Sequence, residues 1–243
     1  QAAFQRASAS DALHYVVHHP LISSGQLGAV LDVINAQLTT WTPDADAWIG
    51  DRAAGLHLYE MARGGEILSL LTQDEIDAAD DAGVLTQLVS GQRFPVIDAD
   101  ERFYLDWSSQ ILGACEQPYY QRRELLEALR KQLHERRTTA DYPFLAARVL
   151  LSNVHRGHEI QARDRELFEA WALALAHALD RPVPPYRISP FSGREYGIYD
   201  EDGYTEVTLF PAVPGNRTWS VIVPWPAREP ADAAFRRGTR QPR

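Results

Sequence analysis

Cysteine is nearly missing from this chain of 243 residues, because Cys115 is the only one. A single cysteine excludes a disulfide within the chain and every metal site that needs several thiolates. At this length a hydrophobic core can form without such cross-links. We therefore expect Cys115 to be a buried small apolar residue, and we expect no disulfide partner.

Long hydrophobic runs are missing too. No stretch approaches the ~18 apolar residues of a membrane span, and no charged leader followed by an apolar segment is present. We therefore expect the chain itself to be soluble. Because the sequence begins at Gln1 without a methionine, we expect a processed product or a trimmed piece. Whether an anchor or signal precedes Gln1 is left open.

The common catalytic and cofactor motifs are also lacking. The sequence contains no nucleophile elbow, no phosphate-binding loop and no dinucleotide fingerprint. These absences count against the commonest serine-hydrolase and nucleotide-binding classes, and we predict no cofactor.

Charge is distributed unevenly along the chain. Residues 1–117 hold seventeen acidic and five basic side chains, whereas residues 118–166 hold seven and ten, and residues 226–243 hold two and five. A nucleic-acid-binding protein needs a continuous basic face, so the acidic front half argues against that class. The basic segments predict either solvated helix faces or contact with an acidic partner.

Helix signals dominate up to about residue 180. Ser23–Gln26 and Thr72–Glu75 have the pattern of capping boxes, and Gly64 with Gly65 predicts a helix end. Apolar residues recur at helical spacing behind these signals. Gly157 predicts a kink or a break in the last long helical stretch.

The final segment is different, because strand and turn signals replace the helical period. Tyr196–Leu209 predicts a hairpin around Asp202-Gly203, and a third strand follows at Thr218–Val223. The predicted fold is mainly α, a helical array with a small C-terminal antiparallel sheet. We predict a helical body at 1–185, a β subdomain packed on the helices at 186–225 and a disordered tail at 226–243.

Histidines provide the main enzymatic alternative. His155 and His158 lie three residues apart on a predicted helix and could share a face, with Glu159 as a nearby carboxylate. These three residues are the candidate metal ligands of a metal-dependent hydrolase. Ordinary polar helix positions explain the same pattern, because the spacing is not that of H-E-x-x-H.

Aromatic residues suggest two further kinds of site. Trp107, Phe168 and Trp171 could line a small-ligand pocket in the helical array, although helical spacing also places them in a core. A free strand edge flanked by Trp219 and Trp225 is suited to the addition of a partner strand. The arginine pair Arg236 and Arg237 extends this candidate partner-binding surface into the tail.

Three stretches carry a resemblance to a group of uncharacterised bacterial proteins. They are Ile49–Leu56 (IGDRAAGL), Asp100–Trp107 (DERFYLDW) and Ser189–Tyr196 (SPFSGREY). The group is mostly predicted to be membrane-tethered or exported, and in it a helical body precedes a D-P-F-[ST]-G turn and a short hairpin. The resemblance implies this fold and a cell-envelope location, and it carries over no activity.

The last stretch also resembles the C-terminal D-P-[FW]-G-x-P-Y turn of type II secretion pseudopilins. Ser189 stands here in place of the Asp, and this sequence lacks the long apolar N-terminal helix of a pilin. We expect Ser189–Gly193 to form a tight turn that docks Phe191, with the hairpin as a lid on the helices. Our leading hypothesis is a non-enzymatic interaction or scaffold subunit of a bacterial envelope assembly, with a protein partner and no nucleic acid.

Overall fold

The computed structural model describes residues 12–81, 83, 85–86, 95–136, 142–211 and 218–225. The protein is mainly helical with a small C-terminal three-stranded antiparallel sheet, which confirms the predicted fold class. The predicted tail at 226–243, including Arg236 and Arg237, lies outside the described residues. Within the described ranges, no helix has the length and apolar character needed to cross a bilayer.

The elements follow in chain order. Residues 12–17 are helical, and the longer helices are α1 Ser24–Thr39, α2 Asp44–Gly64, α3 Gln73–Asp81, α4 Pro95–Ala114, α5 Tyr119–Arg136 and α6 Val154–Ala178. A 3-10 turn lies at Ile67–Ser69 and a π-helical turn at Leu145–Leu150. The strands are β1 Gly197–Glu201, β2 Tyr204–Leu209 and β3 Trp219–Pro224.

The chain forms two compact units. The middle unit is Thr42–Ala162, and the terminal unit combines Gln1–Trp41 with Arg163–Arg243. The boundary predicted between residues 185 and 186 falls inside the terminal unit, where the sheet and the helices share one hydrophobic core.

Helix ends form as their local chemistry predicts. The Ser23 N–H donates to Gln26 Oε1 at 2.9 Å while the Gln26 N–H donates to Ser23 Oγ at 3.2 Å, which is a complete capping box. Thr72 and Glu75 repeat the arrangement before α3. At the end of α2, Gly65 takes φ 75°, the left-handed conformation that favours glycine.

A buried carboxylate organises the middle unit. Asp100 on α4 accepts the Tyr59 hydroxyl at 2.6 Å and the main-chain N–H groups of Leu145 and Ala146, both at 2.8 Å. These two N–H groups begin the π-helical turn, so Asp100 caps it from a distant helix. The wide turn then closes with the Leu151 N–H donating to Ala146 O at 2.8 Å.

The prediction of two helices divided at Gly157 is wrong, and the alternative of a kink there stays a prediction. Helix α6 is continuous from Val154 to Ala178, and the irregularity lies before it, in the π-helical turn. Gly157 has a packing role instead, because a Cβ at this position would lie 3.0 Å from the ring of Trp48. A glycine that looks like a helix breaker thus gives room to a tryptophan.

The terminal unit has one core, in which the sheet lies against helices. Leu27, Leu31 and Ile34 of α1 join the apolar residues 170–176 of α6 in this core. The sheet contributes alternate residues, Val207, Leu209, Val221 and Val223, as expected for strands with one buried face. The strand order is β1-β2-β3, so β1 and β3 are the two edges.

Candidate functional site

The predicted metal residues have separate surroundings. His155 Nε2 lies 2.9 Å from Glu127 Oε1, within ion-pair distance but without hydrogen-bond alignment. His158 is fully buried and its ring stacks on Trp48 with a centroid distance of 4.3 Å. Glu159 is half-buried on the same helix. No group of three His, Cys, Asp or Glu side chains suited to a metal ion occurs in the described part of the chain.

His158 is a neutral core residue. Burial, together with the nearby Arg122 and His155, lowers its pKa to about 3. Neither ring nitrogen has a hydrogen-bond partner among the described residues. A buried neutral imidazole stacked on an indole therefore has a packing role in this structure, and metal binding through it stays a prediction.

The aromatic residues predicted to line one ligand pocket belong to different units. Trp107 lies in the middle unit, where it borders a cavity of about 240 Å³ together with Trp48 and Tyr104. Phe168 and Trp171 lie in the core of the terminal unit. All three predicted residues are buried, which fits core positions.

The two tryptophans of the predicted partner surface differ in their surroundings. The Trp225 indole N–H donates to the buried Thr205 Oγ1 at 3.0 Å, and its main-chain N–H donates to Gly203 O at 2.7 Å. Trp225 thus fastens the end of β3. Trp219, at the start of β3, is 66% exposed.

The register of the sheet shows which main-chain groups of β3 face outward. The bond from Trp225 to Gly203 fixes the phase of the antiparallel ladder, in which Val223 pairs with Thr205 and Val221 with Val207. Because hydrogen-bonding direction alternates along a strand, Ser220, Ile222 and Pro224 direct their main-chain groups away from β2. Pro224 fits this position because it has no N–H to donate.

The two sheet edges differ in charge. Edge β1 ends in Asp200 and Glu201, whereas β3 has the sequence WSVIVP and contains no charged residue. Natural edge strands are commonly blocked by charged side chains. Edge β3 lacks this protection, and Ile222 on it is 40% exposed.

A groove of about 440 Å³ lies beside the start of β3. Its apolar walls come from Leu167 on α6, Phe191 in the connecting turn, and Leu209, Phe210 and Trp219 in the sheet region. Ser220 borders the groove and also belongs to the outward-facing set of β3. The groove and the open edge are therefore continuous.

The turn that carries Phe191 is anchored on α6. Ser189 Oγ accepts the N–H groups of Phe191 at 3.1 Å and Ser192 at 2.9 Å, and its hydroxyl donates to Glu166. Phe191 is buried, and Gly193 takes φ 73°, so the predicted tight turn that docks Phe191 is confirmed. The predicted role of the hairpin as a lid stays a prediction.

Glu166 is a desolvated carboxyl that borders the groove. Burial raises its pKa to about 7, although the Ser189 hydrogen bond and Arg163 act in the opposite direction. One turn further on, Glu169 accepts the Tyr196 hydroxyl at 2.9 Å and the Arg165 Nε–H at 3.0 Å. Burial also raises the pKa of Glu169 and Tyr196.

Ser189 and Glu166 do not form a nucleophile and base. The serine oxygen already accepts two main-chain N–H groups, and Ser189 is only 2% exposed. An attacking oxygen needs a free lone pair directed at a substrate. The pair therefore holds the turn.

Sequence reasoning missed Glu166 and Glu169, although a signal for them exists. They fall at helical spacing with Ala162 and Leu173, on the stripe of α6 that is buried. Acidic residues in an otherwise apolar stripe indicate buried carboxylates that need partners.

A scan of the chain against protein-family models finds no match, and searches of curated proteins and of solved structures find no significant match either.

Proposed function

We propose that this protein is a non-enzymatic interaction subunit that binds an extended segment of a partner protein along the β3 edge. The observation that carries the proposal is the open edge itself, with the main-chain groups of Ser220 and Ile222 directed away from β2 and no charged residue on the strand. Main-chain hydrogen bonds supply affinity in such strand addition, and neighbouring pockets supply specificity.

The exposed apolar side chains support the same use of the edge. Trp219 and Ile222 remain exposed, whereas Val221 and Val223 fill the core. A tryptophan at the end of an open edge is a typical anchor for a partner chain. On the resemblance to membrane-tethered and exported bacterial proteins alone, we further propose that the partner belongs to a cell-envelope assembly.

Peptide display combined with amide exchange tests the strand addition. Twelve-residue random peptides are selected on the purified protein, and the hydrogen exchange of individual amides is compared with and without a selected peptide. We expect the Ser220 and Ile222 amides to exchange at least about tenfold more slowly when peptide is bound, because each gains an acceptor. The outward amides of the other edge, Ile198 and Asp200, serve as the internal control and keep their rates.

A matched pair of variants separates main-chain from side-chain effects at the edge. Ile222→Pro removes the outward N–H and leaves the bonds to β2, whereas Ile222→Ala keeps the N–H and shortens the side chain. We expect the proline variant to lose peptide binding and the alanine variant to keep most of it, with both variants folded by circular dichroism. A library that yields no binder, or protection confined to other parts of the protein, contradicts the proposal.

A further inference from the structure

Two arginines lie over aromatic rings that line the groove beside β3, and of these two Arg163 lines the groove itself, whereas Arg194 is exposed next to it. The Arg163 guanidinium lies 5.0 Å from the centroid of Phe191, and that of Arg194 lies 5.6 Å from the centroid of Phe210. Stacking on the face of Phe210 holds the exposed Arg194 guanidinium in place while leaving its edge N–H groups able to bind a carboxylate. The groove therefore combines apolar walls with one exposed cationic side chain beside it.

The carboxylate that borders this groove, Glu166, is hydrogen-bonded inside the protein. Glu166 is only 5% exposed and accepts the Ser189 hydroxyl. Burial of this kind weakens its ability to attract a cation of a partner, because the protonated form is favoured. The charge that an incoming chain meets beside Phe210 is that of the exposed Arg194.

We infer that the partner segment places one large apolar side chain in the groove, next to an aspartate or glutamate that pairs with the exposed Arg194. This inference rests on the proposed strand addition at β3, since Ser220 links the outward-facing edge to the groove. The groove has the apolar lining and the few polar groups that mark a specificity pocket. Backbone pairing then fixes the segment, and the groove selects an apolar–acidic pair within it.

Charge disfavours two other occupants. Residues 226–243 of this chain hold five arginines against two acids, so they would bring like charge to Arg194. Strand β3 of a second copy has no acidic residue to offer. An acidic segment from a different protein is complementary to the groove, and self-association becomes an outcome that the experiment detects.

The selected peptides provide the first test. Among peptides enriched on the purified wild-type protein, we expect a large apolar residue with Asp or Glu within two positions, and depletion of Lys and Arg there. The affinity of one enriched peptide is then measured by fluorescence anisotropy. Trp219→Ala is expected to weaken it about tenfold, because the variant removes an aromatic wall of the groove.

Charge reversal provides the second test. Arg194→Glu is expected to weaken binding of the acidic peptide about three- to fivefold, the upper part of the range for an exposed charge pair, because the change reverses the charge. A peptide with Lys in place of its acid is expected to prefer the Arg194→Glu protein over the wild type. The control is Arg187→Glu, which changes an exposed arginine on the same connecting segment and is expected to leave both affinities unchanged. Neither arginine lines the groove, but Arg194 stacks on Phe210, which does.

The outcomes separate the two proposals. One outcome is that the selected peptides bind the wild type, do not bind Ile222→Pro, and bind Arg194→Glu as tightly as the wild type. Strand addition then stands, and the inference of an acidic–apolar partner segment is wrong. Enrichment of basic peptides likewise overturns this inference. If no peptide binds, both proposals fail. A molar mass that rises with protein concentration in light scattering, and returns to the monomer value in Ile222→Pro, assigns the edge to a second copy and overturns the partner.

Discussion

Asp100 in the middle unit and Glu166 in the terminal unit are buried carboxylates that hold the start of an irregular segment. Each is 5% exposed, and burial raises the pKa of both, to about 6 for Asp100 and about 7 for Glu166. Asp100 accepts two main-chain N–H groups directly, together with a tyrosine hydroxyl. Glu166 reaches its turn through the hydroxyl of Ser189, which itself accepts the two N–H groups.

The difference between the two anchors has a structural consequence. Without Asp100, the N–H groups of Leu145 and Ala146 lose their acceptor. Without Glu166, the N–H groups of the turn still have the Ser189 Oγ as their acceptor. A direct carboxylate cap therefore makes a segment depend on one side chain. A relayed cap leaves the turn formed and places a carboxyl at the border of the groove, where the proposed partner binds.

The largest effect is expected for Asp100→Ala. We expect a loss of about 4 kcal/mol in the free energy of unfolding, since three buried donors are left unpaired at roughly 1–3 kcal/mol each. Denaturant unfolding measures it. The control Asp106→Ala, exposed on the same helix, should cost less than about 0.5 kcal/mol. Glu166→Ala should cost about 1–2 kcal/mol, and an equal cost for Asp100→Ala and Glu166→Ala would break the distinction between the two anchors.

Ser189→Ala tests the relay itself. This change removes the acceptor of the Phe191 and Ser192 N–H groups and the donor to Glu166 at once. We expect a loss of about 2–3 kcal/mol in the free energy of unfolding, larger than that of Glu166→Ala.

Ser192 lies in the same turn and gives the matched control. Its hydroxyl accepts only the long 3.4 Å bond from the Arg194 N–H, so Ser192→Ala should cost less than about 0.5 kcal/mol. If the two serine variants lose the same stability, the hydroxyl of Ser189 does not hold the turn.

The anchors also show what the sequence could predict. Capping boxes at Ser23 and Thr72 join residues three positions apart, so pattern alone identifies them. The partners of Asp100 at Leu145 and of Glu166 at Ser189 are 45 and 23 residues away, and only the folded chain brings them together. The interpretation of Gly157 as a helix breaker failed for the same reason, because Trp48, which packs against it, is remote in sequence.

The β3 edge and its groove also have parts that the sequence predicts and parts that only the fold creates. The hairpin, the third strand and the exposed Trp219 follow from local alternation and turn signals, and the structure contains them. The groove does not follow from such signals, because its walls combine α6, the turn at Phe191 and the sheet. Trp225 flanks the same strand as Trp219, yet its bond to the buried Thr205, 20 residues away, makes it a structural residue.

The smallest of these effects is a pH dependence that distinguishes Glu166 from Asp100. The folded-state pKa of Glu166, about 7, lies above the ordinary value of 4.5, so the folded protein holds this proton more tightly than the unfolded chain. The contribution of this proton to the free energy of unfolding is fully present below pH 4.5 and is lost as the pH rises through 7. Asp100, with a folded pKa of about 6 against 3.8, has lost most of its own contribution by pH 6.

Between pH 6 and 7, the free energy of unfolding of the wild type minus that of Glu166→Gln should therefore fall by about 1 kcal/mol. The glutamine keeps an acceptor for the Ser189 hydroxyl and removes the titration. Taking the difference cancels His158, whose lowered pKa gives a slope of opposite sign below pH 6.5. Glu195→Gln, an exposed control, should leave the wild-type profile unchanged. Parallel profiles for wild type and Glu166→Gln would mean that Glu166 is ionised throughout, and its carboxylate would then oppose an acidic partner at the groove.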